Sequence, residues 1–500
     1  MKKINKIKLI APLLILSFIL CSLFMFISCG GEQKTDNDNS TNSQNPANSN
    51  EDSGGAAETP LDELYPYPEY DFKNAVINIL ARKDGWADGS QDFDDLTVEG
   101  ETGEVLNDAV YSRTKKVEEK YNMQIAVTPA ADAVGTITKS IKAGDDAYQL
   151  LQEKLVFMSS NLATQNYLTD LKTVGSINLG APWYNQNAIK DLSINNKITT
   201  IGGDMTVSDK SGVIMAVFNK KMLADYGLEN LYATVNEGKW TLDKLYELMI
   251  QTTLDLNGDG KMTIKDDQWG LVCEDYAGWM FSVASGNRLA NLDDNGIPYM
   301  TCVTEKNIND YERIKKILYE QQSRAKVTTP QEHESAFVEN RSLFSIGMLS
   351  QFTAIRGMEE DFGIIPLPKQ DETQSSYIST ISPWVSRFIA MPSTCVNPET
   401  VGAVIDAMSR ESVNTVVPAY YDNLLNMKIA RDDESIAMLK MIFDSVIYDI
   451  GAVFSWGNIW DEQMMFIGAK KEDYLGNYER IQGKVETALA KTIDTMAQFD

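Results

Sequence analysis

The sequence predicts an α/β protein, built as two or three domains or as one large two-lobed body. Three observations carry this. The chain has 500 residues, and its 43% hydrophobic and 9% aromatic content suffices for a full core. Where the folded part begins, a strand, an amphipathic helix and another strand come one after another, the order that makes a parallel sheet. Residues 213–250 then read as strand, short helix, loop and second helix, a piece that belongs in an α/β protein.

The first 73 residues stand apart. Lys2, Lys3, Lys6 and Lys8 precede an apolar run from Leu9 to Ile27, the two regions of an export signal. The run is also long enough to span a bilayer, and the residues at its end decide for export. Phe26-Ile27-Ser28-Cys29-Gly30 has a small residue before a cysteine and a glycine after it. This resembles the lipobox of bacterial lipoproteins, with Phe26 where Leu is more usual. The resemblance implies that residues 1–28 are a signal peptide and that Cys29 carries diacylglycerol on its sulfur. Asn, Ser, Asp, Gly and Glu dominate residues 30–60, which offer almost nothing to bury, so 29–73 read as the lipidated cysteine and a disordered tether.

From Asn74 onward the elements come in order. Ala75–Leu80 is a strand, and Gly103–Lys120 a helix with Val105, Ala109, Val110 and Val117 inward. Met123–Val127 is a strand, Thr136–Ala143 a helix, and Tyr148–Leu151 a third strand before a helix at Leu155–Gln165. Val213–Phe218 is a buried strand ended by Asn219, and Gly227 closes the helix Lys220–Tyr226. Thr241 caps a helix with Leu242, Leu245, Tyr246, Met249 and Ile250 at helical spacing. Strands at Trp269–Cys273 and Phe344–Met348 flank a helix at Ile308–Gln321. Asp361–Pro368 ends in prolines. Ile389–Pro392 is a strand with a helix at Pro398–Ser409 behind it, and helices at Glu434–Tyr448 and Asn477–Met496 finish the chain.

A strand ending in Phe218-Asn219-Lys220, a helix ending at Gly227, and Trp240-Thr241 opening another resemble the crossover of ABC-transporter extracellular solute-binding proteins, family 1. The Gly144-Asp145 turn with its following strand and helix, and Asp361 to Pro368 as a return crossover, extend the resemblance over nearly all of 74–500. It implies a two-lobed type II periplasmic-binding-protein fold with a central cleft. Lobe 1 would be 74–208 plus 369–410 and lobe 2 would be 209–368 plus 411–500, hinged near Asp209–Val213 and Pro366–Lys369. It further implies a lipid-anchored importer component, a monomer on the outer face of the cell membrane, that captures a carbohydrate, an oligosaccharide, and hands it to separate ABC permease subunits. Two other classes stay open: a secreted lipoprotein glycoside hydrolase, and a surface polysaccharide-binding protein without a transport role.

Composition narrows the chemistry. A net charge of −26 disfavours nucleic acid, whose phosphates need a positive surface, and attachment to anionic lipid by charge alone. The sole histidine, His333, lies in the polar run Gln331–Glu334 and reads as a solvated surface residue, which leaves no histidine-based triad or His-rich metal site. Beyond the lipobox, Cys273, Cys302 and Cys395 are an odd number and make no disulfide framework, with a Cys273–Cys302 pair left open. The 71 acids offer many carboxylate pairs, and nothing marks one out as a glycosidase pair.

Two patterns carry more. Asp255-Leu-Asn257-Gly-Asp259-Gly-Lys261-Met-Thr263-Ile-Lys-Asp266 matches an EF-hand calcium loop, with oxygens from Asp255, Asn257, Asp259, the Lys261 carbonyl and Asp266, the last standing where Glu is standard. Such an ion would be structural; no catalytic cofactor is expected. Aromatic residues also gather in loops and at element ends: Trp86, Trp183, Tyr276, Trp279, Trp384, Trp456 and Trp460. Sugars stack apolar C–H faces on rings while polar side chains take their hydroxyls. The family resemblance selects Trp86, Gln152, Glu153, Asp204, Tyr276, Trp279, Trp384 and Trp456 as ligand-binding. Among these, Gln152 and Glu153 fall at the end of the third strand, Tyr276 and Trp279 come after the Trp269–Cys273 strand, and Asp204 precedes the crossover.

Overall fold

In the computed structural model the residues described are 65, 68–83, 95–319, 325–426, 430–462 and 473–498. The signal peptide, Cys29, nearly all of the tether and Trp86 lie outside them. The chain divides into Met1–Pro66, of which only Tyr65 is described, and Tyr67–Asp500, which holds both sheets.

Nine strands make the two main sheets: β1 (Ala75–Arg82), β2 (Met123–Ala130), β3 (Leu150–Lys154), β4 (Ile214–Asn219), β5 (Trp269–Cys273), β6 (Ala325–Val327), β7 (Ser342–Met348), β8 (Phe362–Ile365) and β9 (Arg387–Ala390). The first sheet has the order β9-β3-β1-β2, with β1, β2 and β3 parallel and β9 antiparallel. The second has the order β8-β4-β7-β5-β6. There β5 runs parallel to β6 and β7, and β4 antiparallel to β7 and β8. Strands β3, β4, β5 and β7 are buried throughout, as expected where helices cover both faces. Their apolar side chains, Leu150 apart, belong to one continuous core.

The local chemistry matches the sequence. Asn219 ends β4 and caps the next helix, its side-chain oxygen accepting the Met222 N–H at 2.8 Å. Thr241 Oγ1 accepts the Lys244 N–H at 3.3 Å, capping Leu242–Thr252. The third strand sits further on than expected, at Leu150–Lys154. The Gln149 side chain holds the chain before it, accepting the Asn78 N–H at 2.8 Å. Gln152 and Glu153 therefore lie inside the strand. The helix expected at Leu155–Gln165 breaks into a turn of α-helix, a π segment and a 3₁₀ turn. The one expected at Glu434–Tyr448 stops at Asp444, and Val446–Ile447 pairs as a strand with Ser379–Thr380.

Two corrections concern the hinge and the C-terminal region. Lys369 stays bonded to the second sheet's side, its N–H donating to the Trp240 carbonyl at 3.1 Å and its carbonyl accepting the Leu242 N–H at 2.8 Å. The return crossover lies further on, where Val213 bridges Ile381 and the Ser382 N–H reaches the Gly212 carbonyl at 2.8 Å. Gly212 is needed at this crossing, since a Cβ there would sit 2.5 Å from Ser386 Oγ and 2.8 Å from the Ser382 carbonyl. Residues 411–500, expected with lobe 2, divide. Val416–Asn426 packs on Val105–Tyr121 of the first lobe and Asp433–Asp444 on β8 of the second, while Tyr474–Met496 touches both, packing on Ala163–Gln165 and, through Tyr474, on Tyr311 at 4.7 Å. Among the described residues no helix is long and apolar enough to cross a membrane.

Candidate functional site

The sheets define where a site can form. Parallel β1 and β3 finish at the same edge, and β9 begins there, Arg387 standing opposite Lys154. In the second sheet β5 and β7 also finish together, and β4 begins at that edge, Ile214 opposite Met348. Ligands of open α/β sheets bind outside the carboxyl ends of parallel strands. Phe157 and Trp384 belong to the first edge, just after β3 and just before β9. Glu274, Tyr276, Trp279 and Gln351 belong to the second, just after β5 and β7.

A continuous row of rings joins the two edges. Phe157 meets Trp384 edge-on at 5.4 Å, Trp384 meets Trp460 at 5.9 Å, and Trp460 meets Trp279 edge-on at 5.8 Å. The Arg82 guanidinium lies over Phe157 at 5.6 Å from its centroid. The indole N–H groups of Trp279, Trp384 and Trp460 are all buried without a hydrogen-bond partner among the described residues. A buried donor left unpaired costs about 1–3 kcal/mol. Three such donors sit in one row of rings.

Polar groups flank the row. Glu153 is fully buried, with its carboxylate 3.4 Å from Arg82 and accepting the Lys154 N–H at 2.8 Å. Burial raises its pKa, opposed by the Lys154 N–H and by Arg82. On the other edge, Tyr276 Oη donates to Glu274 at 2.8 Å, and the Gln351 amide donates to the same carboxylate. Burial, then Glu274, holds the Tyr276 phenol well above its ordinary value. His333 Nδ1 lies 3.8 Å from Glu274. Contrary to the sequence expectation, His333 is fully buried, on the inner face of the helix Pro330–Val338, and burial pushes its pKa down to about 4.

The other sequence-selected residues fall elsewhere. Gln152 is buried and its amide donates to Asp95 at 3.0 Å and Ser208 at 3.3 Å, bracing the first crossover. Asp204 lines a separate cavity beside that crossover. Trp456 is core, not cleft. It is 2% exposed, stacked on Phe454 at 5.2 Å, and its indole N–H donates to Thr492 at 2.9 Å. Gly457 at φ +61 turns the chain after it, so that Trp460, four residues on, reaches the row of rings. The sequence places Trp460 among the loop aromatics without a reason to prefer it.

The 255–266 loop is folded by its own side chains. Asp255 accepts the Gly258 and Gly260 N–H groups at 2.7 and 2.8 Å, Asn257 accepts Asp259 N–H at 2.9 Å, and Asp259 accepts Lys261 N–H at 2.7 Å. Asp266 accepts the Thr263 hydroxyl at 3.1 Å. Asp267, fully buried and not foreseen, accepts the Leu256 and Thr263 N–H groups. Among the described residues no group of three or more His, Cys, Asp or Glu side chains is arranged to hold a metal ion. Cys273, Cys302 and Cys395 are free thiols.

No family model and no curated protein matches the sequence. Solved structures do match. One is the ABC substrate-binding protein of Listeria monocytogenes in complex with cycloalternan, at 12% identity and a TM-score of 0.51, covering 85% of this chain and 98% of that one. A cyclo/maltodextrin-binding protein complexed with maltotetraose gives 13% identity and a TM-score of 0.54 over 85% and 97% of the two chains. The chain has the fold of ABC-transporter solute-binding proteins. A third solute-binding protein, from Thermotoga lettingae and bound with α-D-tagatose, matches at 13% identity and a TM-score of 0.52, over 84% of this chain and all of that one. The edge at β1, β3 and β9 and the edge at β5 and β7 are both carboxyl ends of parallel strands, where open α/β sheets take their ligands.

Proposed function

We propose that this chain captures a carbohydrate between its two lobes and delivers it to a separate ABC permease. One observation carries the reading: the row Phe157, Trp384, Trp460 and Trp279, joining the two strand edges, with three buried indole N–H groups lacking acceptors among the described residues. Rings offer stacking faces for a sugar's C–H surface, and the N–H groups offer donors for its oxygens. Glu153 and Glu274, each already held by a neighbour, are placed to accept hydroxyls. The solute-binding fold supports the reading, and ligands seen in its relatives are sugars. A ligand touching both edges favours the closed arrangement.

Titration calorimetry with maltotetraose and cyclic maltodextrins tests this. Trp460→Ala should weaken binding on the order of tenfold, since about 1.4 kcal/mol is a tenfold change. Absence of binding by any oligosaccharide, or release of shorter sugars on long incubation, would overturn it.

Two features belong to the same reading. Cys29 is the lipid attachment that keeps the domain at the outer membrane face, supported by the Ser28-Cys29-Gly30 sequence. Calcium in the 255–266 loop is supported by its donor spacing and by Gly258 and Gly260 at positive φ. Binding an ion there requires Asp255, Asp259 and Asp266 to converge on it.

A further inference from the structure

A cavity of about 380 Å³ lies beside the first crossover and shares no residue with the row of rings. Its walls come from three places. Residues 182–187 and 203–204 belong to the first lobe, Asp209, Lys210 and Val213 to the crossover, and Phe443 and Asp444 to the end of the helix that packs on β8 of the second lobe. In the first sheet, β9 pairs with Ile201 on its free side, and Tyr184 bridges Gly203 beyond that. The cavity therefore lies past the β9 side of the sheet, away from β1 and β2.

Its charges are incompletely answered. Lys210 stands 3.1 Å from Asp209 and 3.8 Å from Asp204. Asp209 is 4% exposed and has that single side-chain donor among the described residues; Asp204 has none closer than Lys210. An ionised carboxylate can take about four donors, so the wall has spare acceptor capacity. Asp444, also on the wall, is held by Lys440 at 2.9 Å. Tyr421, Phe443 and Tyr448 supply ring surface, and Asn185 donates to Tyr448 Oη at 2.6 Å. Asp204 and Asp209 repel an anion, while Lys210, held 3.8 and 3.1 Å from them, already takes the place a cation would fill. A neutral molecule with several hydroxyls meets neither obstacle. Its donors suit the carboxylates and its C–H faces suit the rings, and the volume falls in the range of small-ligand sites.

We propose that this cavity is a second binding site, distinct from the cleft, for a neutral polyhydroxylated small molecule of monosaccharide size. Its occupant touches both lobes at the hinge, so it biases the equilibrium between open and closed forms, and cleft ligand changes its affinity by the same factor. Its wall contacts hold whatever the chemistry of the cleft ligand.

The test is calorimetry with glucose, galactose, mannose and myo-inositol on the full chain, on Trp460→Ala and Trp384→Ala, and on Asp204→Asn and Tyr421→Ala. The isosteric Asp204→Asn keeps the cavity shape, and matching melting temperatures confirm folding. At least one probe should bind the Trp460→Ala and Trp384→Ala proteins as it binds the unaltered chain, and bind Asp204→Asn and Tyr421→Ala roughly tenfold more weakly. Saturating the unaltered chain with that probe should change its oligosaccharide affinity. Failure of all four probes to bind overturns the proposal, as does affinity that tracks Trp460 and Trp384 rather than Asp204 and Tyr421. Binding at Asp204 with no effect on the cleft overturns the coupling.

Discussion

Acidification should destabilise the core at His333. His333 is fully buried, neither ring nitrogen has a hydrogen-bond partner among the described residues, and burial holds its pKa at about 4. In the unfolded chain the same imidazole titrates at about 6.5. The folded value is the lower one, so His333 contributes its full stability above about pH 6.5 and loses it as pH falls toward about 4. Between about pH 7.5 and about pH 5 the loss is about 2 kcal/mol, and the full difference of about 2.5 units corresponds to about 3 kcal/mol. Because the chain has one histidine, its ring proton signals report this group alone by NMR. Denaturant unfolding across that range should show the native protein losing about 2 kcal/mol relative to His333→Leu as pH falls. An NMR midpoint at or above about 6.5 would refute the reasoning and mean that Glu274, 3.8 Å away, carries the imidazolium as an ion pair.

Further outcomes are expected. Trp456→Ala should cost about 3–5 kcal/mol of stability by denaturant unfolding, as for other buried tryptophans, while Trp460→Ala should cost far less; the reverse order would return Trp456 to the cleft. Gly212→Ala should lower the melting temperature and change ligand affinity together, because its Cβ meets Ser386 Oγ at 2.5 Å at the crossing of the two lobes. Adding calcium should raise the melting temperature and chelator lower it, with both responses lost in Asp259→Ala; a native protein that ignores both has only a turn at 255–266. Cys29→Ser should release the protein from membranes or leave it unprocessed, and unchanged size with unchanged detergent partitioning would end the lipid-anchor reading.

Much of the scaffold is legible because strands buried on both faces write themselves as apolar runs. Ile214–Phe218 and Trp269–Cys273 are plain in the sequence, as are the caps Asn219 and Thr241. What is hard to read depends on tertiary contact. Trp456 and Trp460 are four residues apart in similar surroundings, and only the left-handed Gly457 and the helix bearing Thr492 decide which ring is core. His333 reads as a surface residue because its neighbours are polar, although His333, Ala336 and Phe337 stand at helical spacing on one face. Glu153 reads as a strand end and is instead buried inside β3, one residue before its last, still next to the edge that Arg82 and Arg387 share.

The pairing of β9 with β3 bears on how the protein assembles. Ile389 stands opposite Gln152, and the whole second sheet is encoded between them. A nascent chain therefore has three strands of its first sheet long before it has the fourth. Loop-closure entropy grows only slowly with the intervening length, by about 0.6 kcal/mol per doubling, so the closed sheet is thermodynamically accessible once made. The delay is kinetic, since distant pairings form slowly. Until Arg387–Ala390 arrives, β3 presents an open edge of unpaired N–H and C=O groups. The first sheet is therefore completed only after Arg387–Ala390, the last of the nine strands, has been made.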